Sequence, residues 1–568
     1  MYRASQEIEE KYTTDAKDYS PLLHTLLTHR GISPEEAESF LNPDYEKDSH
    51  DPFLLPDMEQ AVSRTFQAIS KKEHIVLYTD YDTDGIPAGV ILHDFFEKIG
   101  YQNFENYIPH RLREGYGLNS EAIENFARNG ATLIITADCG ITDVQEVAHA
   151  RELGIDVIVT DHHLPQAQLP DAVAVVNPSR SDSIYPFPYL CGAGVAFKLV
   201  QALIKKGKED NIFSITPGWE KWLLDMAAIG TISDMVPLTG ENRMLAYYGL
   251  LVLRKSSRPG LQELLRRARV NQRYLTEEDV GFVIGPRINA ASRMDIPEKA
   301  FELLATKDIK LAAFLAQELN ELNDKRKGVV ASIIKEAKRR IVREEIREVI
   351  VMGNLNWNPG LLGLAANRLM TEYERPVFLW GEGGGGSIKG SCRAPGNVNI
   401  VHLMTRTTEI FEDFGGHESS GGFSVHRSKL HKLEDELVGA FGKVDKKEIK
   451  DGAEILDGEF SLEDVGWSTY RTIEELAPFG RGNPRPLFLF KDVVVEEIKT
   501  FGKEGKHLQF LFKNALGNPL RAIQFFTDYQ PIEGGKDGEK QKITFTAHLE
   551  RDIFRGGEIR LRIVEFKI

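Results

Sequence analysis

From residue 74 onward the chain alternates short apolar runs with amphipathic stretches, and this alternation restricts the fold more than any other feature. Residues 74–79 (HIVLYT), 131–136, 155–160 and 172–176 read as buried strands. Between and after them, 86–99 (Pro87 early, Gly100 following), 195–206 and 221–229 read as helices. Strands that alternate with helices predict a parallel sheet covered on both faces.

The ends of those strands carry the chemistry. The first runs into Asp80-Tyr81-Asp82-Thr83-Asp84-Gly85, the second into Asp138, the third into Asp161-His162-His163, and Asp234 follows the helix over 221–229. In an open parallel sheet the functional crevice lies beyond the carboxyl ends of the strands, so three strands deliver acids or histidines to one rim. A lone DxD is commonly a turn with a helix-capping Asp, and a lone His-His is as readily structural. Together the set calls for cations, because so many like charges in one crevice repel. Asp and His donors without Cys suit Mn²⁺, Mg²⁺ or Co²⁺ better than structural zinc. Four or five carboxylates exceed what one Mg²⁺ takes, which points to two ions sharing an Asp. Such ions, about 3.5–4 Å apart, activate water and stabilise the leaving oxygen in phosphoryl displacement.

The rest of the chain falls into three further patterns. Residues 250–345 look helical, ending in a charged run from Lys325 to Arg343. A second α/β unit follows, with a strand over 348–352, a helix over 361–372 and a strand over 377–380; the glycines of 381–386 read as a flexible hairpin tip. After the basic stretch 443–450, short β-rich runs (487–495, 507–512, 543–549, 559–566) separated by Gly, Asn and Asp turns predict a small antiparallel barrel.

Length and composition bound the class. A chain of 568 residues holds three or four domains. The charged N-terminus has no apolar leader and no run approaches a membrane span. Cys139, Cys191 and Cys392 stand far apart with no CxxC pair, which speaks against a disulfide framework. A cytoplasmic enzyme without a membrane partner is expected. The net charge of −15 disfavours coating nucleic acid by bulk charge but leaves room for a local basic groove. The arginines of 251–274 form either such a groove or a solvated helix face.

The acid motifs Asp80–Gly85, Asp138, Asp161-His162-His163 and Gly230–Leu238 (GTISDMVPL) resemble the four motifs of the DHH phosphoesterase superfamily, and the last is close to the RecJ-type single-strand-specific exonucleases. RLREGYGL (111–118), GPRINAASRM (285–294), GSCR (390–393), GGHESSGG (415–422) and PFGRGNPRP (478–486) fit that branch, so the resemblance covers nearly everything from about residue 40 onward. It implies an α/β architecture: an N-terminal extension (1–50), a parallel-sheet DHH catalytic domain (51–250), a helical connector (251–345), a second α/β DHHA1 domain (346–445) and a C-terminal OB-fold barrel (446–568). By position it implies Asp82, Asp84, Asp138, His162 and Asp234 as metal ligands for two Mn²⁺ or Mg²⁺ ions. Asp80 and Asp161 would orient them, with His163 beside the scissile phosphate as charge stabiliser or proton donor. Some relatives place a His where this chain has Tyr78, one nitrogen donor fewer. Ser391 and Arg393, on the loop after the glycine cluster, would hold a terminal 5′-phosphate with Arg111 as third member. His417 would face the metals, Arg287 and Asn289 would track the strand, and Phe554 would stack a base.

The implied activity is 5′→3′ hydrolysis of single-stranded DNA to mononucleotides in repair and recombination, with a helicase or single-strand-binding protein as further partner. The alternatives are a phosphodiesterase for short oligonucleotides and a non-catalytic scaffold in a replication complex. The extra barrel and connector favour a polymeric substrate, and the intact acids argue against a scaffold.

Overall fold

Six residues, His74–Thr79, form strand β1, whose last five side chains are all buried, as expected of a strand covered on both faces. The computed structural model that shows this describes residues 19–342, 346–383, 387–443, 456–502, 507–525, 541–552 and 557–567. β1 pairs in parallel with β2 (Phe104–Tyr107) and β3 (Ala131–Ala137); β4 (Asp156–Thr160) and β5 (Ala174–Val176) continue beyond β3, giving the order β2-β1-β3-β4-β5. β2 was not legible because its sequence, Phe-Glu-Asn-Tyr, is half-buried at the sheet edge and lacks an apolar run. The order reverses between β1 and β3, so the crevice of the sheet opens where Asp80–Asp84 and Asp138 follow those two strands.

A helix, Gly85–Lys98, leaves the first acid loop with Pro87 in its first turn, where no intrahelical N–H is needed. It packs on the helices Gly192–Glu209 and Leu224–Ser233. The connector consists of the helices Pro259–Ala268, Gly285–Met294, Glu298–Ala305 and the 33-residue Ile309–Ile341, with a π-helical turn at Val280–Ile284. Arginines of the 251–274 patch serve this packing. Arg258 is paired with Asp225 and Asp94 at 2.8 and 2.6 Å, Arg254 donates to the Leu275 carbonyl, and Arg267 donates to that of Ala313.

The second sheet runs β6-β7-β8-β10-β9, from β6 (Ile350–Gly353), β7 (Val377–Glu382), β8 (Ile388–Arg393), β9 (Asp413–His417) and β10 (Ser420–Val425). Only the β6–β7 pair is parallel. β7 and β8 form the hairpin expected at the glycine cluster, but Ser391 and Arg393 stand on β8 itself, not on a loop. Residues 384–386 of that cluster lie outside the described residues.

The C-terminal strands β11 (Gly458–Glu459), β12 (Phe488–Phe501), β13 (His507–Lys513), β14 (Pro519–Gln524), β15 (Lys542–Asp552) and β16 (Glu558–Lys567) run in the order β11-β12-β13-β14-β16-β15, and β12 pairs again with β15 to close a barrel. The pairs are antiparallel except β14–β16 and the short β11–β12 pair at the edge, and the closed five strands β12–β16 have the topology of an OB-fold. Phe488, Phe490, Phe510, Phe512 and Phe545 fill its interior. The same core takes in Leu23, Leu26, Leu27, Phe40 and Leu41 from the N-terminal helices Pro21–His29 and Pro34–Leu41. Contacts divide the chain into two units accordingly: 1–49 with 237–247 and 451–568, and 50–236 with 248–450.

Candidate active site

Three backbone turns bring the acids together. After β1, Asp82 Oδ1 accepts from the Asp84 and Gly85 amides at 2.8 and 3.2 Å, shaping the first loop. Asp84 turns inward, and its two oxygens accept from Gly192 and Ala193 N–H groups at 2.6 and 2.8 Å, at the open N-terminus of Gly192–Glu209. After β3, Asp138 takes a left-handed conformation (φ +64°) that redirects its carboxylate. Two glycines make room. A Cβ on Gly192 would stand 2.4 Å from Asp138 Cβ, and one on Gly230 would stand 2.4 Å from Asp84 Oδ1.

His162 sits at the centre of this set. Its Nε2 lies 3.1 Å from Asp138 Oδ1, 3.7 Å from Asp84 Oδ2 and 3.8 Å from Asp234 Oδ2. Donor atoms of Asp84, His162 and Asp234 fall within 4.8 Å of one another, as do those of Asp80, Asp82 and Asp138, and of Asp138, His162 and His163. Asp138 Oδ1 and Asp80 Oδ1 are buried and have no hydrogen-bond partner among the described residues, even though His162 is near the former. Leaving such atoms unmet costs about 1–3 kcal/mol each. Donors that converge without bonding one another fit divalent cations with oxygen and nitrogen ligands. Burial and the neighbouring acids push the carboxyls of Asp80 and Asp138 well above the usual range, and burial raises Asp84 against the pull of His162. The grouping also lets Asp80 reach a cation directly.

Asp161 is fully buried and acts as a hub. One oxygen accepts from the His162 and His163 amides and lies 2.8 Å from His163 Nδ1; the other accepts from the Ile141 amide. Burial raises its pKa, but the bond to His163 and the two histidine charges outweigh that and hold it below the usual range. Burial lowers His163, yet the Asp161 bond and the charges of Asp161, Asp234 and Asp84 carry it up to about 9. Tyr116, absent from the sequence-based set, donates to the Asp138 carbonyl at 3.2 Å and lies 3.1 Å from His163 Nδ1. Tyr78 is no donor to the centre. It is buried in the core beside Tyr107, and its hydroxyl donates to the Gly117 carbonyl, fixing the loop that carries Arg111 and Tyr116.

An arginine cluster adjoins the acids. Arg111 stacks over Tyr81 at 4.8 Å, next to Asp80 and Asp82. Arg393 extends from β8 across the helix Pro359–Tyr373, where Gly363 leaves it space: a Cβ there would stand 2.9 Å from Nη2. Ser391, two residues earlier on β8, shares its face. Sequence reading missed Arg293, which joins the two groups. Burial and the charges of Arg111, Arg326 and Arg393 depress it while Asp82 opposes them, and its Nη1 donates to the Gly360 carbonyl. Arginine keeps its proton regardless, so the mutual repulsion of these guanidinium groups favours an anion.

The other expected substrate residues are placed less simply. Arg287 is committed to Asn320 Oδ1 and the Val283 carbonyl inside the connector. Asn289 Oδ1 is buried without a hydrogen-bond partner among the described residues. His417 ends β9 exposed, and among the described residues it joins none of the acid groups. In the barrel, Phe510 and Phe512 are core; Phe526, Phe554 and Arg555 lie outside the described residues. Exposed rings on the described barrel strands and the turn after β14 include Phe501 and Phe525, packed around His507 with centroids 5.1 and 5.4 Å from it. Among the described residues no helix is long and apolar enough to cross a membrane.

Comparison with known proteins agrees with this geometry. Residues 74–231 match the DHH family N-terminal domain, 346–443 the DHHA1 domain and 456–565 the RecJ OB domain. The chain is 35% identical over 494 residues to the single-stranded-DNA-specific exonuclease RecJ of Bacillus subtilis, covering 85% of this chain and 60% of that protein. It is 32% identical over 490 residues to the RecJ of Salmonella typhimurium, covering 83% of each. The crystal structure of RecJ in complex with Mn²⁺ from Thermus thermophilus superimposes with a TM-score of 0.78 at 27% identity, over 96% of this chain and 76% of that one.

Proposed function

Because this chain belongs to the RecJ family of single-stranded-DNA-specific exonucleases, we propose that it is a metal-dependent exonuclease that removes mononucleotides from the 5′ end of single-stranded DNA. The observation that supports this is the place of Arg293, which donates to the Gly360 carbonyl one turn from the Gly363 against which Arg393 lies, with Asp82 and Arg111 within its electrostatic reach. A terminal phosphate held by the arginines and Ser391 leaves the first internal diester beside the acids.

Asp80, Asp82 and Asp138 would hold one cation and Asp84, His162 and Asp234 a second, since the donor atoms of each set lie within 4.8 Å of one another and Asp138 also lies 3.1 Å from His162. Two ions of Mn²⁺ or Mg²⁺ held there would supply Lewis acidity and lower the pKa of a bound water. The residues do the rest. Asp161 and Tyr116 fix the His163 ring, which offers positive charge or a proton to the phosphate group. Gly192 and Ala193 amides keep the Asp84 carboxylate aimed into the rim. Bases stacked on Phe501 and Phe525 give the barrel its hold on a strand. A helicase that frees the strand, or a protein that coats it, is the class of partner such an activity requires.

The test compares wild type with Arg393→Ala on 5′-phosphorylated and 5′-hydroxyl single strands of equal length. Loss of a charge-assisted contact weakens the phosphorylated substrate selectively, by about 2–3 kcal/mol. Equal slowing of both substrates contradicts the anchoring role.

A further inference from the structure

We infer that Phe282 is a stacking platform for a base of the substrate strand on the far side of the metal centre from the anchored end, an inference that rests on the exonuclease reading above. Phe282 is 79% exposed, although it lies in a helical turn whose neighbours Val280 and Ile284 are fully buried. That turn is π-helical, and such insertions concentrate at functional sites. It leads directly into Gly285–Met294.

Within Gly285–Met294, spacings of three and four residues place Pro286, Asn289 and Arg293 on one face, and Phe282 precedes Pro286 by four residues, about one turn back through the π-helical segment. Each end of this face has a landmark. At one end Arg293 donates to the Gly360 carbonyl at 3.0 Å, one turn from the Gly363 against which Arg393 lies. At the other, the Gly285 carbonyl accepts from Thr83 Oγ1 at 3.2 Å, and a Cβ on Gly285 would stand 3.2 Å from Ser233 Oγ, the residue before Asp234. The helix therefore runs alongside the acids, from the arginine cluster past Asp82 toward Asp234, and Phe282 stands one turn beyond. From Arg293 to Phe282 the axis covers about 16 Å, enough for a strand of a few nucleotides.

Two further observations suit a strand on this path. Asn289, midway, has a buried Oδ1 without a hydrogen-bond partner among the described residues, a polar group suited to a sugar or base edge. Met235, next to Asp234, is 67% exposed with φ +58°, so a second apolar side chain is exposed at the acid rim. A phenyl ring stacks on any base, which suits an enzyme that must accept every sequence.

The experiment measures KM and kcat on 5′-phosphorylated single strands of two to eight nucleotides, then on strands with one abasic site walked inward from the 5′ end. In the wild type, lengthening the strand lowers KM at one step, and an abasic site at that position removes the gain. Phe282→Ala shrinks the gain about tenfold, as expected for one stacked base. It shows no further loss with the abasic site there, and Phe282→Trp restores the gain. If Phe282→Ala keeps the wild-type length dependence, or its loss adds independently to the abasic loss at every position, the platform is wrong and the exonuclease reading stands. If the wild type cleaves none of these strands, both fall.

Discussion

Asp138 combines a left-handed backbone, complete burial and an oxygen that meets no hydrogen bond among the described residues. No single one of these is favourable for folding, and together they make sense for a carboxylate shared between cations. Asn tolerates the left-handed region as well as Asp does and removes the charge. Asp138→Asn should therefore cut Mn²⁺-dependent hydrolysis by at least two orders of magnitude, about 3 kcal/mol of barrier. It should also leave the metal-free protein at least as thermally stable, since like-charge repulsion is relieved. A thermal melt with and without Mn²⁺ checks this: the ion should stabilise wild type more than the variant, because only a ligand bound to the native state raises its stability. Gly192 offers a test without touching a chemical group. Gly192→Ala sets a Cβ 2.4 Å from that of Asp138, so one backbone must shift. The expected cost is about 1–3 kcal/mol in denaturant unfolding, accompanied by a fall in turnover. Wild-type turnover in this variant would mean that Asp138 needs no close placement.

Among the elements, the parallel sheet was the most legible, because each central strand is a continuous apolar run and its acid follows at once. Its edge strand β2 was not, since a half-covered strand of Phe, Glu, Asn and Tyr carries no such run. β8 shows a different failure. The glycines before it suggested a loop, yet Ile388 and Cys392 are buried while Lys389, Ser391 and Arg393 alternate with them, a period of two that marks a strand. The strand matters for the proposed anchoring of a terminal phosphate, because a sheet would hold such a pair more rigidly than a loop. Arg293 lies within the motif of 285–294, but spacing along a helix gives no sign that it meets the helix Pro359–Tyr373, which also borders Arg393. It predicts that Arg293→Lys, which keeps the charge but loses the planar fork, raises KM for 5′-phosphorylated strands several-fold. An unchanged KM would place the anion elsewhere.

At the scale of the whole molecule, the barrel is not a detachable tail. The N-terminal helices share its core, and Arg243 spans segments far apart in sequence, donating to the carbonyls of Phe40, Leu476, Ala477 and Pro478. Arg243→Met leaves those buried acceptors unmet and should cost about 3–5 kcal/mol, read in chemical unfolding of the barrel unit. Sequence patterning showed the barrel strands but not this union, because the short N-terminal helices carry apolar faces that name no partner. The account as a whole stands on metal-dependent cleavage from one chosen end. Its most direct test is a digest of single-stranded DNA, 5′-phosphorylated and labelled at either end, with Mn²⁺ and with EDTA, sampled from the earliest turnover. The account predicts labelled mononucleotide from the 5′ label at once, progressive shortening of the 3′-labelled strand, and no product in EDTA. Mononucleotide released first from the 3′ label, internal fragments, or cleavage that survives EDTA would contradict it.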